Sequence, residues 1–586
     1  MKNENNKIRL WPGLKQEEMK EPSAQQTKKQ IEAAPASSIR DLSEPREKRQ
    51  PRRKKQREKV STRALYVILG VLCVILVIAL VAEEYYISHT YEKGELARLS
   101  EETVKVRRRF MTEAEETEAE SVPAETESSV SQAEGTGSET GDGKISPTSD
   151  SSIGKKTVVE TAESVNLKNQ LIGVLPGVLP PGATSGELIA QADLLAAMYD
   201  YDAAAELLEN CSSYEQDSRM QEAVKGYQSA KAACVEYPVD QITHIFFHTL
   251  IKDPEKAFDG DQYEAGYNQF MVTIHEFNSI IQQMYEKGYV MVTLEDMAPR
   301  VVNEDGSVSV TQGRILLPPG KIPFVLSQDD VSYYHYMDGD GFASRLVLDE
   351  NGDVKNEYIE SDGTVSVGDY DMVPLIDTFV DQHPDFSYHG AKGYVALTGY
   401  DGILGYRTDI CYKTRENLTS YQKEFFEKNP GFSEADYERE REESRKVAEA
   451  MKADGWLFAS HTWGHVGLGE SGTTIEQFKT DTDKWEDRVE PLIGETDTLI
   501  YAFGGDIGGV QDYSGQRFDY LKSKGFDYFC GVDSAVYWVQ LRDNYLRQAR
   551  RNIDGYRMYY NPEMLSDLFD VDRAWDPKRP AYVPPI

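Results

Sequence analysis

The sequence predicts an α/β protein whose core is a distorted (β/α)7-type barrel. Two observations carry that expectation. Short apolar, β-branched runs recur through the C-terminal half, and amphipathic helical patterns lie between most of them. The runs fall at 242–248, 289–294, 322–327, 394–398, 456–460, 498–503 and 526–532. Strands buried on both faces read as near-continuous apolar runs, and seven of them suit a closed or nearly closed parallel barrel.

The helices between the runs follow from spacing. Phe270, Ile274, Phe277, Ile281 and Met284 recur at three- and four-residue steps, which places them on one helical face. Further helices are expected near 372–382, 434–453, 475–492 and 516–524. The stretch 338–369 breaks the alternation. Its turn signals, Asp349-Glu350-Asn351-Gly352-Asp353 and Ser361-Asp362-Gly363-Thr364, predict an inserted β-hairpin that walls a groove. The whole unit spans 239–586.

Ahead of the barrel, residues 166–238 predict a helical spacer. Leu188, Ala192, Leu195 and Met198 form one apolar stripe, and Ala204, Leu207 and Leu208 another, with a turn at Tyr199-Asp200-Tyr201-Asp202. The piece is like one tetratricopeptide-type helix pair plus a third helix, and one such unit is too few for a solenoid.

The first 165 residues divide by charge and hydropathy. Residues 1–63 are basic, densest from Arg46 to Lys59, and too poor in apolar residues to offset chain entropy, so a disordered tail is expected. Residues 64–82 carry no charge at all. At ~1.5 Å per residue they reach about 28 Å, enough for a bilayer core. Lys and Arg crowd the N-terminal side of this stretch, and Tyr85 and Tyr86 mark its far interface. A single-pass span with a cytoplasmic N-terminus follows, which puts everything after Ala82 outside the cell membrane. Residues 83–165 continue as a stalk and an acidic linker rich in Ser, Thr and Glu.

The net charge of −35 argues against nucleic acid as a partner. The basic run beside the span fits anionic lipid headgroups instead. Cys211, Cys234, Cys411 and Cys530 are the cysteines after the span, and none has metal-ligand spacing. Buried free thiols are the simple reading, with a Cys211–Cys234 bridge across a helical hairpin as the alternative.

Chemistry-bearing residues gather at the predicted strand ends. His461 and His465 are two of only nine histidines, and they sit in Ser460-His461-Thr462-Trp463-Gly464-His465, directly after a strand. A four-residue step can bring two imidazoles to one side of a turn, as a divalent metal requires. The strand 322–327 runs into Gln328-Asp329-Asp330. Two adjacent carboxylates are costly to place together unless a positive charge lies beside them. Two histidines and one carboxylate make a recognisable catalytic metal site, and the second carboxylate is then available as a general base.

Asp329-Asp330 with His461-Thr462-Trp463-Gly464-His465 resembles the first two motifs of the NodB-homology polysaccharide deacetylases (carbohydrate esterase 4-like). Tyr501-Ala502-Phe503-Gly504-Gly505 is similar to the third motif of the circularly permuted branch that includes biofilm poly-N-acetylglucosamine deacetylases. That branch opens on an apolar strand ending in an aromatic–His pair, as Ile245-Phe246-Phe247-His248 does here. The resemblance covers about residues 240–560.

It implies a metal-dependent hydrolase removing N-acetyl groups from a polysaccharide, a cell-wall glycan or an exopolysaccharide. Asp330, His461 and His465 would hold the metal, usually zinc in the family, although the ligand set also admits nickel, cobalt or manganese. Asp329 would be the general base and His248 the general acid. Phe503, Gly504 and Gly505 would supply an oxyanion contact through a backbone N–H, and Trp463 would stack on a sugar or pack the metal loop. The third motif departs from the family in lacking its Arg and Pro. The orienting contact to the base then falls to Arg547, Arg550 or Arg551, which the sequence does not separate. Two rival readings remain at this stage: a catalytically decayed glycan-binding or signalling protein on the same fold, and an O-acetyl esterase. His275, His335, His383 and His389 read as solvated or loop residues, His335 lying nearest the double Asp.

Overall fold

The computed structural model describes residues 183–303, 306–469 and 473–586. The tail, the span at 64–82 and the linker lie outside the described residues. Among the described residues no helix is long and apolar enough to cross a membrane.

Nine strands share one sheet: β1 (Thr243–Phe247), β2 (Tyr289–Met291), β3 (Ile322–Gln328), β4 (Tyr394–Leu397), β5 (Leu457–Ser460), β6 (Thr498–Ile500), β7 (Tyr528–Val532), β8 (Val539–Arg542) and β9 (Tyr545–Asn552). Seven of them close an all-parallel barrel in the order β1-β3-β4-β5-β6-β7-β9, with β9 pairing back onto β1. Every residue of β1, β4 and β6 is buried, as the continuous apolar runs require when one face meets helices and the other the barrel interior.

The predicted strand count is right but one member is wrong. β2 is not part of the ring. It lies beside Ile322–Phe324 of β3, and β4 takes over the same edge at Ser327 and Gln328. The strand stops short because Thr293 caps the helical turn Leu294–Met297, accepting from Asp296 N while the Asp296 carboxylate accepts from Thr293 N. The seventh ring strand is β9, whose sequence Tyr-Leu-Arg-Gln-Ala-Arg-Arg-Asn hides it from a hydropathy reading.

The barrel helices sit close to their expected places. α4 (Ile274–Glu286) is opened by a Thr273–Glu276 capping box, and the chain leaves it through Gly288 at φ +87°. A Cβ there would approach Gly320 O to 2.7 Å, so glycine is required. α5 (Met372–Gln382), α6 (Glu434–Ala453), α7 (Ile475–Arg488) and α8 (Gln516–Ser523) complete the barrel helices.

The helices of the spacer, α1 (Ser185–Ala197), α2 (Tyr201–Glu209) and α3 (Ser218–Ala233), have their own core of Leu188, Ala192, Leu195, Leu208, Met220 and Val224. They pack on the barrel. Tyr199 Oη donates to Asp385 O at 2.7 Å and its ring stacks on Tyr388. Cys211 and Cys234 are free thiols, as are Cys411 and Cys530.

The insertion at 338–369 is larger than a hairpin. Its two turns join three antiparallel strands, Arg345–Leu348, Val354–Ile359 and Val365–Gly368. The third strand was missed because only Val365 and Val367 carry its pattern, and both are exposed.

Candidate metal centre

The C-terminal ends of the parallel strands bring the predicted residues together, where barrels of this kind carry their chemistry. β3 runs into Asp329 and Asp330, β5 into His461, β6 into Tyr501–Gly505, and β1 into His248. Asp330, His461 and His465 are buried, and one donor atom from each lies within 4.8 Å of the others. They form a group able to hold a metal ion.

The donors are prepared for that role. His461 Nδ1 lies 2.8 Å from Ile500 O, so it carries the proton and leaves Nε2 as the ligating nitrogen. Burial, opposed by Asp330, pushes His465 down to about 4, which keeps it in the neutral form a metal needs. His465 Nε2 stands 3.6 Å from Asp330 Oδ2. Tyr334 Oη donates to Asp330 Oδ1 at 2.7 Å and meets Thr398 Oγ1 at the same distance. Backbone strain concentrates here: Asp330, Thr462, His465 and Phe503 all have φ between +48° and +66°.

The two adjacent carboxylates have different surroundings. Asp330 faces the histidine pair. Asp329 is gripped by Arg550, whose Nη1 and Nη2 donate to Oδ1 and Oδ2 at 2.6 and 2.9 Å. Burial would raise the Asp329 carboxyl, but Arg550 and His461 outweigh it and hold the group well below the usual carboxylate range. Burial is likewise outweighed at Asp330, which His465, His461 and His248 hold below its ordinary value. The open choice among three arginines is thereby settled. Arg547 pairs with Asp506 and Arg551 with Asp567.

His248 is half-buried at the end of β1, within electrostatic reach of Asp329, Asp330 and His465. Its Nδ1 lies 3.0 Å from Phe270 O, which directs Nε2 elsewhere. His244, four residues earlier, is fully buried between Ser327 Oγ (2.9 Å) and Gln548 Oε1 (3.1 Å) and takes a structural role.

One expectation needs correction, and the two readings of Trp463 separate. The amides of Gly504 and Gly505 close their own turn onto Tyr501 O and Ala502 O at 3.0 Å each, so neither is an oxyanion donor. Gly504 is needed for another reason: at φ +63° a Cβ would stand 2.8 Å from Val532 Cβ. Trp463 packs the loop rather than facing a sugar. Its Nε1 donates to Asp409 Oδ2 at 3.1 Å, Lys484 Nζ covers the ring at 4.0 Å, and Gly399 leaves no room along the other edge. The exposed aromatic at the site is Phe503, 44% accessible and 4.3 Å from the His465 ring.

Sequence reasoning missed three supporting side chains. Asp481, on α7, accepts from Trp463 N and Gly464 N at 2.8 and 2.9 Å and so fixes the turn between the two histidines. Its signal was present: Phe478, Asp481, Thr482 and Trp485 share the buried face, so an acid stands in an apolar stripe. Asp371 accepts from Leu250 N, Gln328 Nε2 and Tyr333 Oη, tying the segment after His248 to the end of β3. Tyr334, which supports Asp330, carried no signal that distinguished it from its tyrosine neighbours.

No protein-family model, curated protein or solved structure matches the chain. The site therefore rests on its own geometry.

Proposed function

We propose that this chain is a metal-dependent hydrolase that removes N-acetyl groups from a polysaccharide, as its resemblance to the NodB-homology deacetylases implies. The observation that carries the reading is the division of labour between Asp329 and Asp330. One carboxylate joins two histidines with their Nε2 atoms turned inward, and its neighbour, 3.9 Å from His461 Nε2, is gripped on both oxygens by a buried arginine. A binding site for a glycan alone has no use for the second carboxylate.

Asp330, His461 and His465 would hold the ion, with zinc the first choice for a carboxylate and two imidazoles. A divalent ion there supplies Lewis-acid polarisation of the amide carbonyl and lowers the pKa of water. Asp329, kept ionised and oriented by Arg550, takes the proton from the attacking water. His248 Nε2 donates a proton to the departing amine. Gly504 and Gly505 being engaged, the Phe503 amide is the donor of that segment assigned to the developing oxyanion.

The sequence adds the setting. The uncharged apolar run 64–82, with the basic run on its N-terminal side, supports a barrel outside the membrane, on a linker long enough to reach a cell-wall glycan or exported polymer. The test is acetate release by the purified full chain from N-acetylglucosamine oligomers, peptidoglycan and acetylated xylan, with and without chelator. Chelator-sensitive release from the amide substrates supports the reading. Release from xylan alone makes the chain an esterase, and release from none leaves a glycan-binding protein.

A further inference from the structure

The place His244 fills in the barrel is also a link to the proposed base. Residues two apart on a strand share a face. His244 therefore stands below Phe246 on β1, Ser327 below Asp329 at the end of β3, and Gln548 below Arg550 on β9, three strands that neighbour one another in the order β9-β1-β3. All six side chains are buried. Their polar atoms form one chain. Gln548 Nε2 donates to Ile242 O at 2.9 Å, which leaves Oε1 to face His244 Nδ1 at 3.1 Å. An amide oxygen only accepts, so Nδ1 carries the ring proton. His244 Nε2 lies 2.9 Å from Ser327 Oγ, and Arg550 Nη1 donates to that same Oγ at 3.2 Å and to Asp329 Oδ1 at 2.6 Å. Burial and the adjacent Arg550 push His244 well below its ordinary value, so the ring is neutral. Its bare Nε2 accepts from the Ser327 hydroxyl.

We infer that His244 is a positioning residue for the base: locked in one tautomer by Gln548, it takes the Ser327 proton, keeps Ser327 Oγ an acceptor for Arg550, and so holds the guanidinium in line with Asp329. The inference rests on the function proposed above. The opposite tautomer would make Ser327 Oγ accept from Nε2–H and turn the hydroxyl proton away from the imidazole, toward a buried cation. A doubly protonated ring would set a second cation under Arg550, in competition for Asp329. Ser327 matters because the guanidinium is otherwise closely bounded. The Phe246 ring covers it at 4.1 Å and Nε reaches Gly531 O at 3.4 Å, which leaves Ser327 Oγ as its nearest acceptor after Asp329. Each donor in the chain is matched to one acceptor, so a change at Gln548 reaches the base through two further side chains.

The experiment takes the full chain with isotope-labelled histidine and arginine and reads His244 and Arg550 by NMR beside acetate release. The two signals are identified by their loss in His244→Gln and Arg550→Lys. In the wild type at neutral pH, His244 is expected to be uncharged with its proton on Nδ1. Gln548→Met removes the acceptor for that proton. It should move the proton to Nε2, shift the Arg550 Nη1 signal, and lower kcat about three- to tenfold, the scale of one neutral hydrogen bond, with KM and bound metal unchanged. Ser327→Ala should lower kcat by a similar factor and keep the proton on Nδ1. The Gln548→Met/Ser327→Ala double variant should be no slower than Ser327→Ala alone, because both act through one hydroxyl. A wild-type ring that is charged or protonated on Nε2 overturns the inference. So does a tautomer switch that moves neither the Arg550 signal nor kcat, and so do additive losses in the double variant. If no chain releases acetate but the His244 and Arg550 signals follow this pattern, the proton order and its hold on Arg550 stand and the hydrolase reading falls; acetate release untouched by Gln548→Met does the reverse.

Discussion

Arg550 Nη1 and Nη2 bind separate oxygens of Asp329 at 2.6 and 2.9 Å, reaching from β9 past β1 to the end of β3. Both side chains are buried, Arg550 completely. The pair fixes the Asp329 carboxylate in one orientation and ties the last barrel strand to the end of β3.

Removing one partner of a buried ion pair leaves the other uncompensated, at a cost of about 3–5 kcal/mol. Arg550→Met should therefore lower the melting temperature markedly. Arg550→Lys keeps the charge but not the two-pronged geometry. It should fold, retain bound metal, and lose acetate release by ~10²-fold or more, the usual share of a positioned base. The Arg550→Lys/Asp329→Asn double variant should be little worse than either single one, since the two act as a unit. Additive losses in kcat would show that they act separately.

The carboxylate roles separate by a different measurement. Asp330→Asn, His461→Ala and His465→Ala should each lower the metal content of the purified chain, while Asp329→Asn should leave it near one ion per chain and lose most activity. Metal analysis beside acetate release reads both. Loss of metal in Asp329→Asn with retention in Asp330→Asn would exchange the roles.

Much of this candidate centre was legible in the sequence because parallel barrels gather their chemistry-bearing residues at the C-terminal strand ends. An apolar run ending in Asp329-Asp330, and another ending in His461 with His465 four residues on, need little more than strand assignment to be brought together. What stayed hidden has a common cause. β9 is a barrel strand written in polar residues, because Arg547, Gln548, Arg550 and Arg551 are buried on partners contributed by distant segments. A hydropathy reading sees eight residues of surface loop. β2 was misplaced for the opposite reason: its apolar run is genuine, but the Thr293 cap ends it before it reaches the strand-end face. The oxyanion assignment failed at Gly504 because a glycine in a motif does not reveal whether its amide is already used or whether only its missing Cβ matters.

Membrane topology is testable without the barrel. Cysteine-accessibility labelling on intact cells should find residue 30 protected and residue 140 labelled, since the basic run lies on the N-terminal side of the span that the sequence predicts at 64–82. Labelling at 30 with protection at 140 would put the barrel in the cytoplasm.

Asp481 gives the loop between His461 and His465 a pH signature. Burial raises its carboxyl to about 6 despite the two backbone N–H groups it accepts. A carboxyl whose folded pKa lies above its unfolded value, near 3.8, stabilises the fold fully below the unfolded pKa. That contribution is lost as pH rises through about 6, so at neutral pH the ionised group strains the loop it anchors. A shift of about two units corresponds to at most about 3 kcal/mol. Asp481→Asn removes the titration but also one of the two acceptors, which costs about 1 kcal/mol. The stability of the wild type relative to Asp481→Asn, measured by urea unfolding, should therefore be greatest near pH 4 and fall steadily to pH 7. The variant should be less stable than wild type at pH 4 and close to it, or above it, at neutral pH. A difference that stays flat across that window would mean that Asp481 titrates as an ordinary carboxylate and that the turn between His461 and His465 is held by something else.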